Sequence, residues 1–187
     1  AGDATVEQEW EFESGLEGWT GRAQYHYEER AGFTYKGLKS ATDEGGSRPI
    51  NLTVSGGYLR FDQAGVGATI SNKDMNIDFN GVNSLIVEVT MKAVTKSSGP
   101  VVKNTAKLEL VGKTGSVDKS ITVTADSNGE AVYRFVFSQS ELGAKRKVQG
   151  VVLGIQGLVK GINFKPNTGG NKEEPLQNVM IDSITVL

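Results

Sequence analysis

Two glutamates near the start of the chain, Glu11 and Glu13, are the first residues whose type and spacing could do chemistry. They alternate with Trp10 and Phe12, so an extended strand would place both carboxylates on one face, with Cα atoms ~7 Å apart. Glycosidases use carboxyl pairs at comparable separations, but they hold the two groups on opposite sides of the scissile bond. We therefore expect a solvated strand face or an ion ligand at these glutamates. Trp10, Phe12 and the nearby Trp19 are expected to pack in the core.

The composition excludes several other kinds of site. The 187-residue chain has no cysteine, which removes disulfides, thiolate metal sites and cysteine nucleophiles. His26 is the only histidine, so a site built on several histidines is excluded and a Ser-His-Asp triad would depend on this one residue. The net charge of -2 does not favour nucleic acid, and no apolar run is long enough to insert into a membrane. We predict that the protein is not an enzyme.

Aromatic side chains close in sequence are the best candidates for contacts to a sugar. Tyr25, Tyr27, Phe33 and Tyr35 lie within a short polar stretch, and a pyranose ring presents an apolar C–H face that stacks on aromatic rings. Tyr25 and Tyr27 share one strand face, so they are either core residues or ligand contacts. Arg60 is a candidate planar hydrogen-bond partner for sugar hydroxyls, on residue type alone.

Strands must position these residues, because period-2 alternation of apolar and polar residues recurs along the chain. Turn residues at 112–115 and 126–129 predict hairpins, and a short helical turn is expected at Ser138–Leu142, with Ser138 or Ser140 as its cap. Nine or more strands in one domain, residues 1–187, predict a two-sheet sandwich or a barrel. The predicted strands cover residues 8–13, 22–28, 58–62, 84–92, 106–111, 119–124, 131–137, 149–155 and 179–187.

Three polar, glycine-rich segments are expected to be long loops, at residues 36–57, 94–105 and 157–176. Long loops in a compact domain usually have a function or are disordered. The last segment carries Phe164, which would be a lip over a binding site or part of a flexible stretch.

The two ends of the chain resemble those of a known family. FESGLEGW (Phe12–Trp19) and IDSITVL (Ile181–Leu187) are similar to the first and last strands of jelly-roll carbohydrate-binding modules with the galactose-binding-like fold. The segments at 57–62, 76–89 and 128–137 resemble the middle strands of that family, in order. The resemblance implies an all-β, two-sheet antiparallel β-sandwich of the jelly-roll type. It also implies a non-catalytic module from a secreted or cell-surface bacterial protein, with sugar held on a concave sheet face or by end loops.

Calcium is the cofactor that the resemblance implies, because several such modules bind a structural Ca²⁺ where the first and last strands meet. Glu13 stands where the first strand ends, and Asp182 lies within the last strand. If these strands pair, the two carboxylates could share a cation, which prefers six to eight oxygen ligands. The alternative is that Asp182 is half-exposed and bonded to backbone amides.

We therefore expect a monomeric carbohydrate-binding domain of a larger extracellular protein, which tethers its parent to a polysaccharide. The alternative is a structural or adhesive β-sandwich domain of a bacterial surface protein without a sugar site. Both tryptophans are expected in the core, which favours the alternative.

Overall fold

The computed structural model describes residues 7–23, 50–61, 68–79, 83–96, 99–113, 115–142, 157–168 and 176–187 in full, and the backbone of the short strands that lie between them. Within this part of the chain the secondary structure is almost entirely β. The strands are β1 (Gln8–Trp10), β2 (Thr20–Ala23), β3 (Tyr25–His26), β4 (Glu29–Arg30), β5 (Phe33–Thr34), β6 (Lys39–Ser40), β7 (Arg48–Ile50), β8 (Thr53–Ser55), β9 (Tyr58–Phe61), β10 (Thr69–Asn72), β11 (Ile77–Asp78), β12 (Ser84–Lys92), β13 (Val94–Lys96), β14 (Gly99–Val101), β15 (Lys103–Val111), β16 (Ser116–Thr124), β17 (Glu130–Ser138), β18 (Arg146–Val148), β19 (Val151–Leu153), β20 (Leu158–Val159), β21 (Gly161–Lys165) and β22 (Val179–Val186), and the helix α1 spans Gln139–Leu142.

Two six-stranded antiparallel sheets form a sandwich, which confirms the predicted fold class. Sheet I has the order β17-β12-β22-β9-β8, and β1 pairs with β22 beyond the end of β9. Sheet II has the order β16-β15-β21-β10-β2-β7. The chain crosses between the sheets from β9 to β10 to β12 to β15, which is a jelly-roll pattern. The first and last strands of the sandwich pair, as expected.

The core lies between the sheets because the long strands alternate strictly. In β12 and β17 every second residue is buried, and the same alternation runs through β15. Phe164 on β21 is fully buried, with its ring centroid 6.3 Å from that of Tyr133 and 6.2 Å from that of Phe135. The prediction that Phe164 is a lip or part of a flexible stretch is therefore wrong.

A buried polar network ties the two sheets together on one side of this core. The Asn104 side-chain amide donates to the Tyr133 hydroxyl at 2.8 Å and to the Pro166 carbonyl at 2.7 Å. The Asn167 amide donates to Asn104 Oδ1 at 2.5 Å. Burial raises the pKa of the Tyr133 hydroxyl, since the charged phenolate is disfavoured away from water. The network provides partners for the Asn104 side chain, the Tyr133 hydroxyl and the Asn167 amide nitrogen, which would destabilise the core if they were left unpaired.

A β-bulge in β22 explains the position of Asp182. Thr90 pairs with Ser183, whereas the next residue, Met91, pairs with Ile181, so Asp182 is the extra residue. The bulge reverses the phase of the strand, because Ile181 on one side and Ile184 on the other are both buried. Asp182 itself is exposed.

The predicted turns and the helix cap are present. Gly112 N–H donates to the Gly115 carbonyl at 2.7 Å. Asp126 Oδ1 accepts from the backbone amides of Asn128 and Glu130, at 2.8 Å and 3.0 Å. Ser138 is the cap of α1, since its hydroxyl accepts from Glu141 N–H while Glu141 Oε1 accepts from Ser138 N–H, each at 3.2 Å.

The three segments predicted as long loops contain strands instead. Residues 36–57 hold β6, β7 and β8, residues 94–105 hold β13, β14 and the start of β15, and residues 157–176 hold β20 and β21. Most of these strands have only two or three residues, too few for an alternation to be recognised. The strand predicted at 149–155 is present in part as β19, which pairs with β18.

Candidate functional site

The first glutamate pair does not share a strand face, which corrects the prediction for Glu11 and Glu13. Strand β1 ends at Trp10, and Phe12 has a φ of 54°. This left-handed conformation costs a bulky residue about 1–2 kcal/mol. The Phe12 ring is buried and packs edge-on against Trp19, with centroids 6.5 Å apart. The three aromatic residues are core, as predicted, and both glutamates are exposed beyond the end of β1.

Hydrogen bonds hold this turn against sheet II. Phe12 N–H donates to Glu17 Oε2 at 3.2 Å, and the buried Asn72 amide donates to the Glu17 carbonyl at 3.2 Å. Asn72 Oδ1 also accepts from Asp74 N–H at 3.0 Å. A side chain at Gly18, where φ is +90°, would meet Asn72 Nδ2 at 3.1 Å. The segment between β1 and β2 is therefore a fixed part of the surface.

Four glutamates line an acidic recess of about 230 Å³ beside this turn: Glu9, Glu11, Glu13 and Glu17, together with Ser14. The charge of Glu9 raises the pKa of Glu11, with smaller contributions from burial and from Glu13, Asp182 and Glu17. Glu13 and Asp182 are thus in the same neighbourhood, and both are exposed.

The described residues do not by themselves make a calcium site. No group of three or more acidic or histidine side chains in this part of the chain is arranged to hold a metal ion. Ca²⁺ needs six to eight oxygens, so Glu13 and Asp182 would have to be joined by backbone carbonyls or water. A structural calcium ion at these two residues stays a prediction.

The backbones of two predicted stacking residues lie on a hairpin that extends from the edge of sheet II. Strands β2 and β7 pair within the sheet, and the pairs β3–β6 and β4–β5 continue the same two chain segments outward. The backbones of Tyr25 and Phe33 belong to β3 and β5. Tyr27 and Tyr35 lie outside the described residues. Tyr58 is the one aromatic side chain that is not buried among those the structure describes in full.

Arg60, the predicted planar partner, is half-buried on the outer face of sheet I. Its Nε donates to the Ser55 carbonyl at 3.0 Å, and its guanidinium carbon lies 5.4 Å from the centre of the Tyr58 ring. It lines a cleft of about 330 Å³ together with Asn51, Thr53 and Asn178. Part of the guanidinium is therefore used within the hairpin β8–β9, which fixes its position.

A polar groove on the outer face of sheet II is the arrangement that sequence reasoning missed. It has a volume of about 200 Å³ and is lined by Thr69, Lys107, Glu109, Asn163 and Lys165. These residues come from β10, β15 and β21, three adjacent inner strands of the sheet. In the pairing of β15 with β21, Lys107 lies opposite Lys165 and Glu109 lies opposite Asn163. Rigid strands thus hold the groove side chains in two adjacent rows, ~6.8 Å apart.

Internal contacts orient the groove side chains but leave hydrogen-bonding capacity. The Asn163 amide donates to Glu109 Oε1 at 2.7 Å. Lys107 is 3.7 Å from Asp118 Oδ2 on the neighbouring strand β16. Asn163 Oδ1 and Glu109 Oε2 have no partner among the described residues. The groove can therefore accept hydrogen bonds from hydroxyl groups and donate them from ammonium groups.

The signal for this groove was present in the alternation of two strands. KLELV (Lys107–Val111) and INFK (Ile162–Lys165) each place polar residues at every second position. Only the second segment was missed as a strand, because it lies in the stretch predicted as a loop. The two segments are more than fifty residues apart, and the register between them is not readable from either one alone.

Comparison with known proteins gives likenesses at the level of architecture. No protein-family model matches the chain, and no curated protein is significantly similar to it. Among solved structures, the chain is similar to a family GH115 4-O-methyl-α-glucuronidase with specificity for decorated arabinogalactans, at 10% identity and a TM-score of 0.45, over 100% of this chain and 18% of the enzyme. It therefore spans less than a fifth of that protein.

Two solved carbohydrate-binding modules are also similar in structure. One is the CBM28 module specific for non-crystalline cellulose, at 12% identity and a TM-score of 0.39, over 99% of this chain and 92% of the module. The other is the family 29 module CBM29-2, at 11% identity and a TM-score of 0.34, over 88% of this chain and 91% of the module. Likenesses at this level do not assign a function. In the described part of the chain, no helix is long and apolar enough to span a membrane.

Proposed function

We propose that this chain is a non-catalytic carbohydrate-binding domain and that it binds a polysaccharide in the polar groove of sheet II. The observation that carries the proposal is the set of side-chain acceptors and ammonium groups that three adjacent strands hold in fixed register. Sugar hydroxyls both donate and accept hydrogen bonds, so they are matched by a surface that offers both in fixed positions.

The groove favours binding over catalysis. Glu109 is the one carboxylate among the described residues that line it, and its Oε1 already accepts from Asn163. Glycoside hydrolysis generally uses two carboxyl groups on either side of the bond that breaks. Asp118 lies opposite Glu109 on β16 but is outside the groove lining, next to Lys107.

The binding mode is hydrogen bonding on the outer face of sheet II, next to the hairpin of β2 to β7. That hairpin carries Tyr25 on β3 and Phe33 on β5, in the chain segment between β2 and β7. We infer that these aromatic residues supply stacking beside the groove. Affinity for one segment of sugar would be weak, but tethering raises the effective concentration of a parent protein at an extracellular polysaccharide.

Affinity electrophoresis through gels that contain single polysaccharides tests this proposal. We expect one class of polysaccharide to retard the protein without releasing new reducing ends. Asn163→Ala should weaken the retardation roughly tenfold, as removal of a hydrogen bond to a charged or polar group typically does. Thr90→Ala, on the outer face of sheet I, is the matched control and should leave it unchanged. Absence of retardation by every polysaccharide would overturn the proposal, as would release of reducing ends.

A structural or adhesive domain is the second candidate, and one observation favours it. Apart from Tyr58, the aromatic side chains of the fully described residues are buried, so these residues offer no stacking platform. If no polysaccharide binds while the protein melts cooperatively, this alternative is preferred.

A further inference from the structure

We propose that the ligand of the polar groove is an acidic polysaccharide and that Lys107 and Lys165 bind the carboxylate of a uronic acid residue. This inference rests on the proposed function and names the chemical class of its ligand. The observation behind it is a pair of like charges placed directly opposite each other. Lys107 on β15 and Lys165 on β21 are cross-strand partners on the solvent face of the sheet. Like charges in this arrangement destabilise a sheet.

The surroundings of the two lysines do not relieve the repulsion completely. Lys107 has a loose contact with Asp118, at 3.7 Å, and the side chains of both residues are substantially exposed. The Lys165 ammonium has no hydrogen-bond or ion-pair partner among the described residues. It is only half-exposed, in the middle of the sheet, so a neighbouring anion would be less screened there than on an open surface. An anion between the lysines is the missing partner.

The same row contains a third cation. On β10 and β21, Ile70 pairs with Phe164, so the next residues along, Thr69 and Lys165, lie beside each other. Thr69 in turn pairs with Arg22 on the following strand, β2. Lys107, Lys165 and Arg22 therefore follow one line across four neighbouring strands, ~4.8 Å apart from strand to strand. Such a line matches a chain that carries carboxylates along its length.

The adjacent row has the chemistry for hydroxyl groups. Glu109, Asn163 and Ser71 are successive cross-strand partners on β15, β21 and β10. They offer a carboxylate, an amide and a hydroxyl ~6.8 Å from the cation row, a spacing comparable with the width of one hexopyranose ring. A hexuronate fits both rows, because it bears a carboxylate on one edge and hydroxyls on the other.

A simple attraction between a basic protein and any polyanion does not explain this pattern. The chain has a net charge of -2, and its acidic recess carries four glutamates. Selectivity for an acidic sugar would therefore come from the groove itself. A generic polyanion without a hydroxyl-bearing uronate should bind less well.

Matched pairs of polymers test the inference. Affinity electrophoresis and calorimetry would compare polygalacturonate and a glucuronate-bearing xylan with their carboxyl-reduced forms, which keep the same linkages but lack the charge. Dextran sulfate would serve as the polyanion without uronate. We expect the acidic polymers to bind at least roughly tenfold more tightly than the reduced forms, with the difference shrinking as salt is raised. Lys165→Gln and Lys107→Gln should each remove most of that difference, whereas Lys92→Gln, a lysine paired with Glu130 on sheet I, should not.

The outcomes separate the two proposals. Equal binding of charged and reduced polymers, lost on Asn163→Ala, would overturn the uronate assignment and leave carbohydrate binding intact. Failure of every polymer to bind would overturn the proposed function and this inference with it. Binding of uronate polymers that does not respond to either lysine variant would overturn the inference, as would dextran sulfate binding as tightly as the uronates. Circular dichroism of each variant would establish that it is folded.

Discussion

The outer faces of the two sheets carry similar side chains but arrange their charges in opposite ways. On sheet I, β12 and β17 place Glu88 opposite Arg134 and Lys92 opposite Glu130. Both pairs form ion pairs, the second at 3.1 Å. On sheet II, the register places Lys107 opposite Lys165. These charged cross-strand pairs are complementary on sheet I, whereas the pair on sheet II consists of two lysines.

This difference shows that residue types alone do not distinguish the two faces. Both faces alternate polar and apolar residues, and both carry lysine and glutamate. The face of sheet I even exposes Val132, at 49%, between its two ion pairs, and Val136, at 39%, beyond the pair of Glu88 with Arg134. The distinguishing property is the pairing across strands, because complementary partners stabilise a free face and like charges do not.

The largest loss of stability is expected from truncating a core side chain beneath the groove of sheet II. Phe164→Ala would leave a cavity under Asn163 and Lys165 and lower the free energy of unfolding by about 3–5 kcal/mol. Because Phe164 separates the two groove residues along β21, polysaccharide binding should weaken as well. Denaturant unfolding and affinity electrophoresis under native conditions would measure the two effects.

Leu85→Ala in β12 is the matched control for that variant. Leu85 is 2% exposed and lies beneath the outer face of sheet I. It should destabilise the protein by about 2–5 kcal/mol but leave the affinity of the folded protein unchanged. If both variants lose affinity equally, the groove is not the binding site.

Reversing one charge on each face should change the free energy of unfolding by a smaller amount, and in opposite directions on the two faces. Lys165→Glu would create a complementary pair with Lys107, and we expect it to stabilise the free protein by about 0.2–1 kcal/mol while abolishing binding to acidic polysaccharides. Glu88→Lys would place two cations opposite each other on sheet I, so it should destabilise by a similar amount without affecting binding. Thermal melting in free and ligand-bound states distinguishes these cases, and a Lys165→Glu protein that is less stable than the wild type would contradict the comparison.

The fold was predictable from the sequence where strands are long. β12 and β17 have nine alternating residues each, and their pattern fixes both the strand and its buried face. The two-residue strands on the hairpin of β2 to β7 offer no such pattern. The paired ends of the chain were predicted from the resemblance, but the bulge that turns Asp182 outward depends on the partner strand β12.

The candidate site was less predictable, for two physical reasons. The glutamates of the first strand were assigned to one face, but Phe12 adopts a positive φ that packing against Trp19 stabilises and local preference opposes. The groove depends on register between distant strands, and register is a tertiary property. Arg60 was selected on residue type alone, and it lies in a separate cleft on the other sheet.

The smallest change in stability is expected at the acidic recess. The charges of Glu9 and its neighbours, together with burial, raise the pKa of Glu11, so the folded protein binds a proton there more readily than the unfolded chain does. The carboxyl group therefore favours folding when it is protonated, and this contribution is lost as the pH rises from about 4.5 through the raised value. Glu11→Gln should raise the melting temperature at pH 7 in EDTA, and the gain should disappear at pH 4. Glu141→Gln should have the opposite effect. Hydrogen bonds from Lys119 and Ser138 lower the pKa of Glu141, so its charged form stabilises the fold, and the substitution should lower the melting temperature at pH 7.

Melting temperatures measured in Ca²⁺ as well as in EDTA test the calcium prediction at the same recess. If Ca²⁺ binds at Glu13 and Asp182 as the sequence predicts, it neutralises the repulsion at Glu11, so the wild-type melting temperature should be higher in Ca²⁺ than in EDTA. The advantage of Glu11→Gln should then shrink in Ca²⁺, while Glu13→Gln and Asp182→Asn should each abolish the response to the ion. Thr185→Ala, whose side chain contacts Glu9 at 3.4 Å beside the recess, is a control that should keep it. Equal melting in both buffers would show that the calcium prediction is wrong, while leaving the pH dependence of Glu11 as a property of the carboxylates alone.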